Sequence, residues 1–342
     1  MEFDHRASSL KQVEITDEAE IKYSGHKPQV GDVVAVKIQN VNDTYRELDL
    51  EGGELIELEE GDIVLGVLGN RSGVKGYIGK VPDKLEEDDT LSFLGSGGIF
   101  GEYISGAKEL DEPCEAEFLG YLKEGENILN TRDFGIEGAN EIEVDANLVA
   151  VVASRMDAGK TTLASKLIEE LSKNYNVASL KLTGSARERD RLKMLESGSE
   201  ASYDFVDAGI PSTVEDSEVV LSAAKGLVNQ VWDDELDFVV IEFGAGLISN
   251  YGVKDVLRDL DIKENVFAVS GVSLDVMGAY GLKEVLNDLE YEVDFISGPI
   301  TDTTVGRETV ENHVGVPALN AFHEEEMDEA VEIISKKFNS IS

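Results

Sequence analysis

The chain has 342 residues, with 70 acidic against 30 basic side chains and a formal net charge of −40 at pH 7. The electrostatic field of this charge repels nucleic acid and anionic membranes, so neither is expected as a partner. The charge is typical of an acidic, halophile-like surface in a salty cytoplasm, and a surface that binds a basic partner is the alternative. One cysteine and four histidines exclude an intrachain disulfide and a cysteine-cluster metal site and argue against zinc.

Length and hydropathy predict a cytoplasmic protein of two domains, each with its own core. Hydrophobic residues make up 42% of the chain, yet no apolar run approaches the roughly 18 residues that suggest a membrane span. The N-terminal sequence MEFDHRASSLKQVEITDEAE has no apolar core of the kind that signal peptides carry.

The first part of the chain has the texture of a β-rich domain. Residues 1–28 are polar and predict a loosely held arm with one strand at most. Beyond them, short apolar runs alternate with Gly, Asn, Asp and Pro, a pattern typical of a small antiparallel barrel or sandwich. We therefore predict an all-β, barrel-like domain over residues 29–122 and a polar linker over residues 123–145.

Two glycine-containing loops in this domain allow two interpretations. Gly69–Gly76 places two cations in a turn, and Gly95–Gly98 reads Gly-Ser-Gly-Gly. Both are explained by hairpin turns that need a positive φ. Alternatively, they bind an acidic substrate and face a nucleotide-binding domain.

Residues 146–342 alternate between strand and helix patterns. Strands are predicted at 147–153, 177–182, 238–242, 266–271, 293–297 and 316–320, with helices at 160–174, 214–231, 275–289, 303–313 and 324–337. This alternation predicts an α/β domain with a parallel sheet, helices on both faces and right-handed crossovers. Ligands bind such folds at the carboxyl ends of the strands.

The sequence LVAVVASRMDAGKTT, residues 148–162, reads as a strand, a phosphate loop and a helix start. Loop N–H groups and a helix N-terminus favour phosphate, Lys160 would contact the β- and γ-phosphates, and the Thr161 hydroxyl would hold Mg²⁺. The usual first glycine is replaced by Ser154, and a chance Gly-Lys-Thr sequence at a helix start is the alternative. The predicted nucleotide-binding loop comprises Ser154, Arg155, Met156, Asp157, Ala158, Gly159, Lys160, Thr161 and Thr162.

A second site element follows the apolar run Phe238–Ile241. Glu242 ends this strand and is followed at once by Gly-Ala-Gly. This is the form of a Walker B element, in which Glu242 would coordinate Mg²⁺ through water and support catalysis. A strand-end acid that merely caps a turn is the alternative.

The GKTT sequence and Glu-x-Gly-Ala-Gly after a buried strand resemble the dethiobiotin-synthetase group of P-loop proteins, within the SIMIBI class that also holds molybdopterin-guanine dinucleotide accessory proteins and deviant-Walker ATPases. The stretch KLTGSARERDRLKMLESGSEASYDFVDAGIPSTV is similar to the "domain of unknown function 1611" group, whose members are described as N-acyltransferase-associated or kinase-like. The resemblance covers about residues 145–325 and implies a P-loop NTPase fold that binds ATP, with GTP not excluded, and Mg²⁺.

Arg155 lies where deviant-Walker ATPases carry an extra lysine that reaches a partner subunit's phosphates. The resemblance therefore implies a catalytic Arg155 that stabilises transition-state charge, across a homodimer. A solvent-facing arginine is the alternative.

Residues 181–214 are predicted to recognise the substrate. Thr183 follows a strand at the ligand end, and Arg187, Arg189, Arg191 and Lys193 form a basic cluster suited to carboxylate or phosphate. Asp204 and Asp207 are candidate bases or metal ligands. An ordinary charged helix with turn-forming aspartates is the alternative. The predicted substrate-binding residues are Thr183, Arg187, Arg191, Asp204 and Gly244, and Asp207 joins Thr161 and Glu242 as a predicted metal ligand.

Two later loops are predicted to frame the base, because relatives of this architecture hold adenine there; turn chemistry alone is the alternative explanation of their Gly-Pro sequence. They follow the last strands and contain Pro299 and Asn320.

The leading functional expectation is an ATP-dependent kinase or ligase-type enzyme that acts on a small acidic metabolite. The rival is a nucleotide switch or accessory NTPase that regulates a partner through its β domain. A nucleotide-binding module with little turnover is the third reading.

Overall fold

The computed structural model of the protein describes residues 3–232 and 235–341. These residues form two compact units. The first contains residues 3–137 and two returning segments, Ser185–Arg189 and Phe205–Glu215; the second contains the described residues of 138–184, 190–204 and 216–341. The predicted domain bounds of 29–122 and 146–342 differ from these units in two ways. The described part of the arm and residues 123–137 belong to the first unit and residues 138–145 to the second, and the two returning segments belong to the first unit.

The first unit is built from short strands. They are β1 (His5–Arg6), β2 (Ala19–Lys22), β3 (Val33–Ile38), β4 (Glu47–Asp49), β5 (Leu55–Glu57), β6 (Ile63–Leu68), β7 (Arg71–Ser72), β8 (Tyr77–Lys80), β9 (Thr90–Gly95), β10 (Ile99–Gly106), β11 (Glu115–Glu124) and β12 (Asn127–Ile128), with 3₁₀ turns at Ser8–Leu10 and Thr131–Phe134. Strands β6, β3, β11, β9 and β10 are paired in that order, and β6 also pairs with β10, so these five strands close a ring.

The pairings of the first unit are mixed in direction. Strand β6 is antiparallel to β3, but it runs parallel to β1 and β10. The prediction of an antiparallel barrel or sandwich is therefore wrong for these two parallel pairings, whereas the other pairings of the unit are antiparallel. Buried Val34, Phe93 and Phe118 belong to the core of this unit.

The prediction of a loosely held arm with one strand at most is wrong for residues 7–13, which are held, and for the number of strands, because β1 and β2 both lie in the arm. Ala7 and Leu10 are 0% exposed and Val13 is 2% exposed, and the Ser9 amide donates to the Gly97 carbonyl at 3.1 Å. A few apolar side chains buried in this way are enough to hold a segment whose overall composition is polar.

The two glycine-containing loops of the first unit are used as turns. The residues between β7 and β8 make a hairpin in which the Gly73 amide donates to the Tyr77 carbonyl at 3.0 Å. Gly98 has a φ of 82°, and its amide donates to the Gly95 carbonyl at 2.9 Å. These contacts favour the hairpin interpretation over an anion-binding one.

The second unit contains the α/β elements. They are β13 (Leu148–Ala153), α1 (Lys160–Leu171), β14 (Val177–Thr183), α2 (Glu188–Glu196), β15 (Ser202–Asp204), α3 (Ser217–Val231), β16 (Phe238–Phe243), α4 (Val253–Arg258), α5 (Leu260–Asn265), β17 (Val266–Val272), α6 (Val276–Asp288), β18 (Phe295–Ser297), α7 (Thr304–His313) and α8 (Glu324–Ile341), with a 3₁₀ turn at Pro299–Thr301. Helix α2 begins in a segment of the first unit.

The sheet of the second unit has the order β15-β14-β16-β13-β17-β18, and its neighbouring strands are parallel. This confirms the predicted α/β class. All six residues of β13 are buried, as expected for a strand covered on both faces. Val149 and Val151 share a core cluster with Leu167 of α1 and Ile334 of α8.

The predicted strand at 316–320 is not formed. It is reduced to an isolated bridge between Ile296 and Ala318. Pro317 has no amide hydrogen to continue a ladder. Within the described ranges, no helix is both long and apolar enough to cross a membrane.

Candidate functional site

The loop between β13 and α1 has a backbone that few sequences can adopt. Asp157 has a φ of 56° and Gly159 a φ of 101°, both in the left-handed region, which glycine occupies freely and aspartate tolerates. The Ser154 amide donates to the Val272 carbonyl at 3.0 Å, which ties the position where the usual motif has glycine to the end of β17. The loop then enters α1 directly at Lys160.

Lys160 is held across the site by backbone carbonyls. Its side chain is 6% exposed, and Nζ donates to the Ala245 carbonyl at 2.6 Å and, more weakly, to the Arg155 carbonyl at 3.5 Å. Burial lowers the pKa of the Lys160 amine, and the Glu242 carboxylate opposes that shift. The amine therefore lies between the phosphate loop and the loop after β16.

Glu242 and Thr161, two of the residues predicted to hold Mg²⁺, are neighbours in the structure. Burial raises the pKa of the Glu242 carboxyl, and Lys181 and the nearby Thr161 hydroxyl oppose the rise. Glu242 is 2% exposed, and among the described residues its Oε2 has no hydrogen-bond partner. A hydroxyl beside a carboxylate with an unpartnered oxygen is the kind of oxygen donor set that Mg²⁺ accepts. These two residues fit the predicted magnesium ion.

A metal site made by protein side chains alone is a different matter. In the parts of the chain that the structure describes, no group of three or more His, Cys, Asp or Glu side chains is arranged to hold a metal. A magnesium ion bound here would take its remaining ligands from phosphate and water.

The loop after β16 is fixed by two close approaches. A Cβ on Gly244 would lie 2.0 Å from the Thr183 carbonyl oxygen, and one on Gly246 would lie 2.8 Å from the Arg155 Cα. The Thr183 hydroxyl donates to the Gly244 carbonyl at 3.0 Å. The glycines therefore let this loop pass against both β14 and the phosphate loop.

Two charged residues of the site were missed by the sequence reasoning. Lys181 of β14 is 4% exposed, lies in register with Glu242 of β16 and forms an ion pair with Asp190 of α2. Burial alone would lower the pKa of Lys181, but the Asp190 and Glu242 carboxylates outweigh it and the pKa is raised. A lysine inside the apolar run VASLKLT was the available signal, because buried lysines are rare without a partner.

The basic cluster is divided between the units. Arg187 and Arg189 belong to the first unit, whereas Arg191 and Lys193 belong to the second. Arg191 Nη1 donates to the Ser202 carbonyl at 3.1 Å. Arg187 is exposed and lines a cavity of about 310 Å³ that also presents Arg46 and several acids: Asp43, Glu47 and Glu57.

The two predicted aspartates are likewise placed in different units. Asp204 is 1% exposed and is paired across the sheet with Lys181. It therefore belongs with Lys181 and Glu242 to a cluster of buried charged residues in the second unit. Asp207 belongs to the first unit, where its Oδ1 lies 2.9 Å from Lys11 Nζ. Asp207 is already in an ion pair there, and its role as a magnesium ligand stays a prediction.

Arg155 and Met156 turn back on their own loop. Arg155 Nε donates to the Met156 carbonyl at 3.2 Å. Ala158 is 1% exposed. The structure describes a single chain, so a catalytic role for Arg155 across a homodimer stays a prediction.

The predicted base-binding loops line a cavity next to the phosphate loop. Its volume is about 110 Å³, and its walls include Gly159 and Thr162 on one side and the loops after β18 and before α8 on the other, namely Ser297, Gly298, Pro299, Asp302, Asn320, Ala321 and Phe322. The structure thus brings predicted Pro299 and Asn320 together with the end of the phosphate loop.

No protein-family model matches the chain, and no curated protein matches it. Solved structures to which it is similar include HypB from Helicobacter pylori (12% identity, 57% of this chain, 88% of that chain, TM-score 0.37). A ParA family ATPase from Chlorobium tepidum TLS shares 14% identity over 57% of this chain and 92% of that chain, with a TM-score of 0.33. The signal recognition particle receptor FtsY from Elizabethkingia anophelis shares 16% identity over 57% of this chain and 66% of that chain, with a TM-score of 0.36. At these values the likeness indicates neither reaction nor substrate, and the assignment of the site depends on its own geometry.

Proposed function

We propose that the second unit binds a magnesium–nucleoside triphosphate through its phosphate loop and that the protein uses it to transfer a phosphoryl group to a small acidic metabolite. The sequence-based choice of nucleotide is ATP. Transfer would occur either as in a kinase or to drive ligation, as in the dethiobiotin-synthetase-like proteins that the GKTT and Glu-x-Gly-Ala-Gly sequences resemble.

One observation carries the nucleotide part of this proposal. The buried Lys160 amine, the Thr161 hydroxyl and the Glu242 carboxylate converge at the start of α1. Lys160 would contact the β- and γ-phosphates, and Thr161 and Glu242 would hold the magnesium ion. When bound, that ion neutralises developing charge on the phosphates. The loop and helix N–H groups add a fixed positive potential.

The acidic acceptor is supported by Arg187. It is exposed, and within the described residues it forms no ion pair with an acid. A guanidinium group in a cavity suits a carboxylate or phosphate. The neighbouring Asp43, Glu47 and Glu57 would restrict the acceptor to one that presents its acidic group to Arg187.

A nucleotide switch is the second candidate, and the tight contact between Gly244 and Thr183 favours it. The Gly244–Gly246 loop would sense the γ-phosphate, and its movement would be passed to the end of β14 through that contact.

Calorimetry with magnesium–nucleotide tests the shared first step. Lys160→Ala should abolish measurable binding because it removes the cation dedicated to the β- and γ-phosphates, while circular dichroism shows an intact fold. Lys166→Ala is a matched control, since Lys166 lies on the same helix but faces solvent and pairs with Glu169. Equal affinity in wild type and Lys160→Ala would reject the phosphate-loop assignment.

Turnover separates the two candidates. Phosphate release that depends on an added metabolite carboxylate supports the enzyme. Slow intrinsic hydrolysis that no metabolite accelerates, together with nucleotide-dependent change in oligomeric state, supports the switch.

A further inference from the structure

The cavity beside Thr162 contains one charged side chain, Asp302. Asp302 directly follows the 3₁₀ turn Pro299–Thr301. Its Oδ1 accepts from Asn320 Nδ2 at 3.0 Å, and among the described residues its other oxygen has no hydrogen-bond partner. The carboxylate is exposed and lines the cavity next to the end of the phosphate loop.

Asn320 is held in place and is itself nearly saturated. It is 3% exposed. Its backbone amide donates to Glu326 Oε2 at 2.6 Å, and its side-chain Oδ1 accepts from the Phe322 backbone amide at 2.9 Å. Asn320 therefore fixes the Asp302 carboxylate. That carboxylate is the charged group available to a ligand in the cavity, and the Ser297 hydroxyl, which has no partner among the described residues, is a neutral one.

Phe322 supplies a second, independent feature. Its side chain is 74% exposed although it lines the same cavity. An aromatic ring at the wall of a cavity can stack on the flat face of a base, and such stacking tolerates any base. The ring explains why a base would bind here, but not which one.

We propose that this cavity binds guanine, so that the nucleotide is GTP rather than the ATP expected from the sequence. This inference rests on the proposed nucleotide-binding function. A carboxylate only accepts hydrogen bonds. The Watson–Crick edge of guanine offers two donors, at N1 and N2, which Asp302 accepts as a pair. The same edge of adenine offers one donor, the N6 amino group, and a lone pair at N1 that the second carboxylate oxygen would face. A site that accepts two donors favours a base that offers both over a base that offers one.

Calorimetry of wild-type protein with magnesium and GDP, ADP or XDP tests the choice of base without any variant. GDP should bind at least about tenfold more tightly than ADP. Equal affinity, or tighter binding of ADP, overturns the guanine assignment and leaves the phosphate-loop function standing. Failure to bind any of the nucleotides rejects the proposed function and the guanine site together.

Asp302→Asn tests the residue itself. An amide can donate to the C2 oxygen of xanthine but cannot accept from both guanine donors, so GDP affinity should fall by about ten- to a hundredfold and XDP affinity should rise. Glu308→Gln on α7 is the matched control, because it removes one exposed negative charge outside the cavity. An unchanged ratio of GDP affinity to XDP affinity in a folded Asp302→Asn protein would contradict the guanine assignment. The same change of that ratio in Glu308→Gln would show that the effect comes from lost negative charge and not from a contact with the base.

Discussion

Glu242 is the residue at which binding and catalysis can be separated. Its carboxylate is buried beside the Thr161 hydroxyl and has one oxygen without a partner among the described residues. Gln keeps the shape of the side chain but loses the negative charge. We expect Glu242→Gln to bind nucleotide while turnover falls by about a hundredfold or more, the range for loss of a positioned catalytic group. Single-turnover phosphate release measures the effect, and wild-type turnover would leave Glu242 as a turn residue only.

At this scale the sequence predicts residues that belong to one local motif. Lys160 and Thr161 follow the glycine that starts the helix, and Glu242 ends an apolar strand, so each has a local signal. Lys181 and Asp190 do not. Lys181 becomes part of the site only because β14 pairs with β16 in a register that sets it beside Glu242, and single-sequence patterns do not encode that register.

The element that can be tested most directly is the contact between β14 and the loop after β16. A Cβ on Gly244 would lie 2.0 Å from the Thr183 carbonyl, whereas one on Gly281 of α6 would meet nothing within 4 Å. Gly244→Ala should therefore destabilise the protein by about 1–3 kcal/mol, the usual cost of overpacking, and reduce turnover. Gly281→Ala, as a control, should raise stability by up to about 1 kcal/mol because alanine favours a helix. Thermal and urea denaturation measure both changes. The same Tm for Gly244→Ala and Gly281→Ala would show that Gly244 is not needed for this contact.

Elements with a long, regular pattern were predicted well, and short ones were not. The strand predicted at 238–242 is observed as Phe238–Phe243, and the strand predicted at 266–271 as Val266–Val272. Helices α4 and α5, each of six residues, were missed because such lengths show little more than one helical period. The strand predicted at 316–320 is only an isolated bridge, because Pro317 within it has no amide hydrogen to continue a ladder.

At the scale of the whole molecule, membership of the two units escaped prediction. Ser185–Arg189 and Phe205–Glu215 lie within the α/β half of the sequence but belong to the first unit. Ala186 illustrates the reason: its amide donates to the Pro211 carbonyl at 2.9 Å, and a Cβ on Gly97 would lie 2.6 Å from its side chain. Contacts of this kind join residues far apart in sequence, and no local pattern marks them.

The net charge of −40 gives the last prediction, because it acts on the molecule as a whole. Like charges repel more strongly in the compact state than in the unfolded chain, so the charge opposes folding in dilute buffer. Salt screens that repulsion, since the Debye length falls from about 30 Å at 0.01 M to about 3 Å at 1 M. We expect Tm to rise steadily across a KCl series from dilute buffer to molar salt. A parallel NaCl series is the control: an equal rise identifies screening, whereas a rise with KCl alone indicates specific potassium binding. The same Tm at both ends of the series would show that the acidic surface carries no salt-dependent cost, and would favour an acidic surface that binds a basic partner.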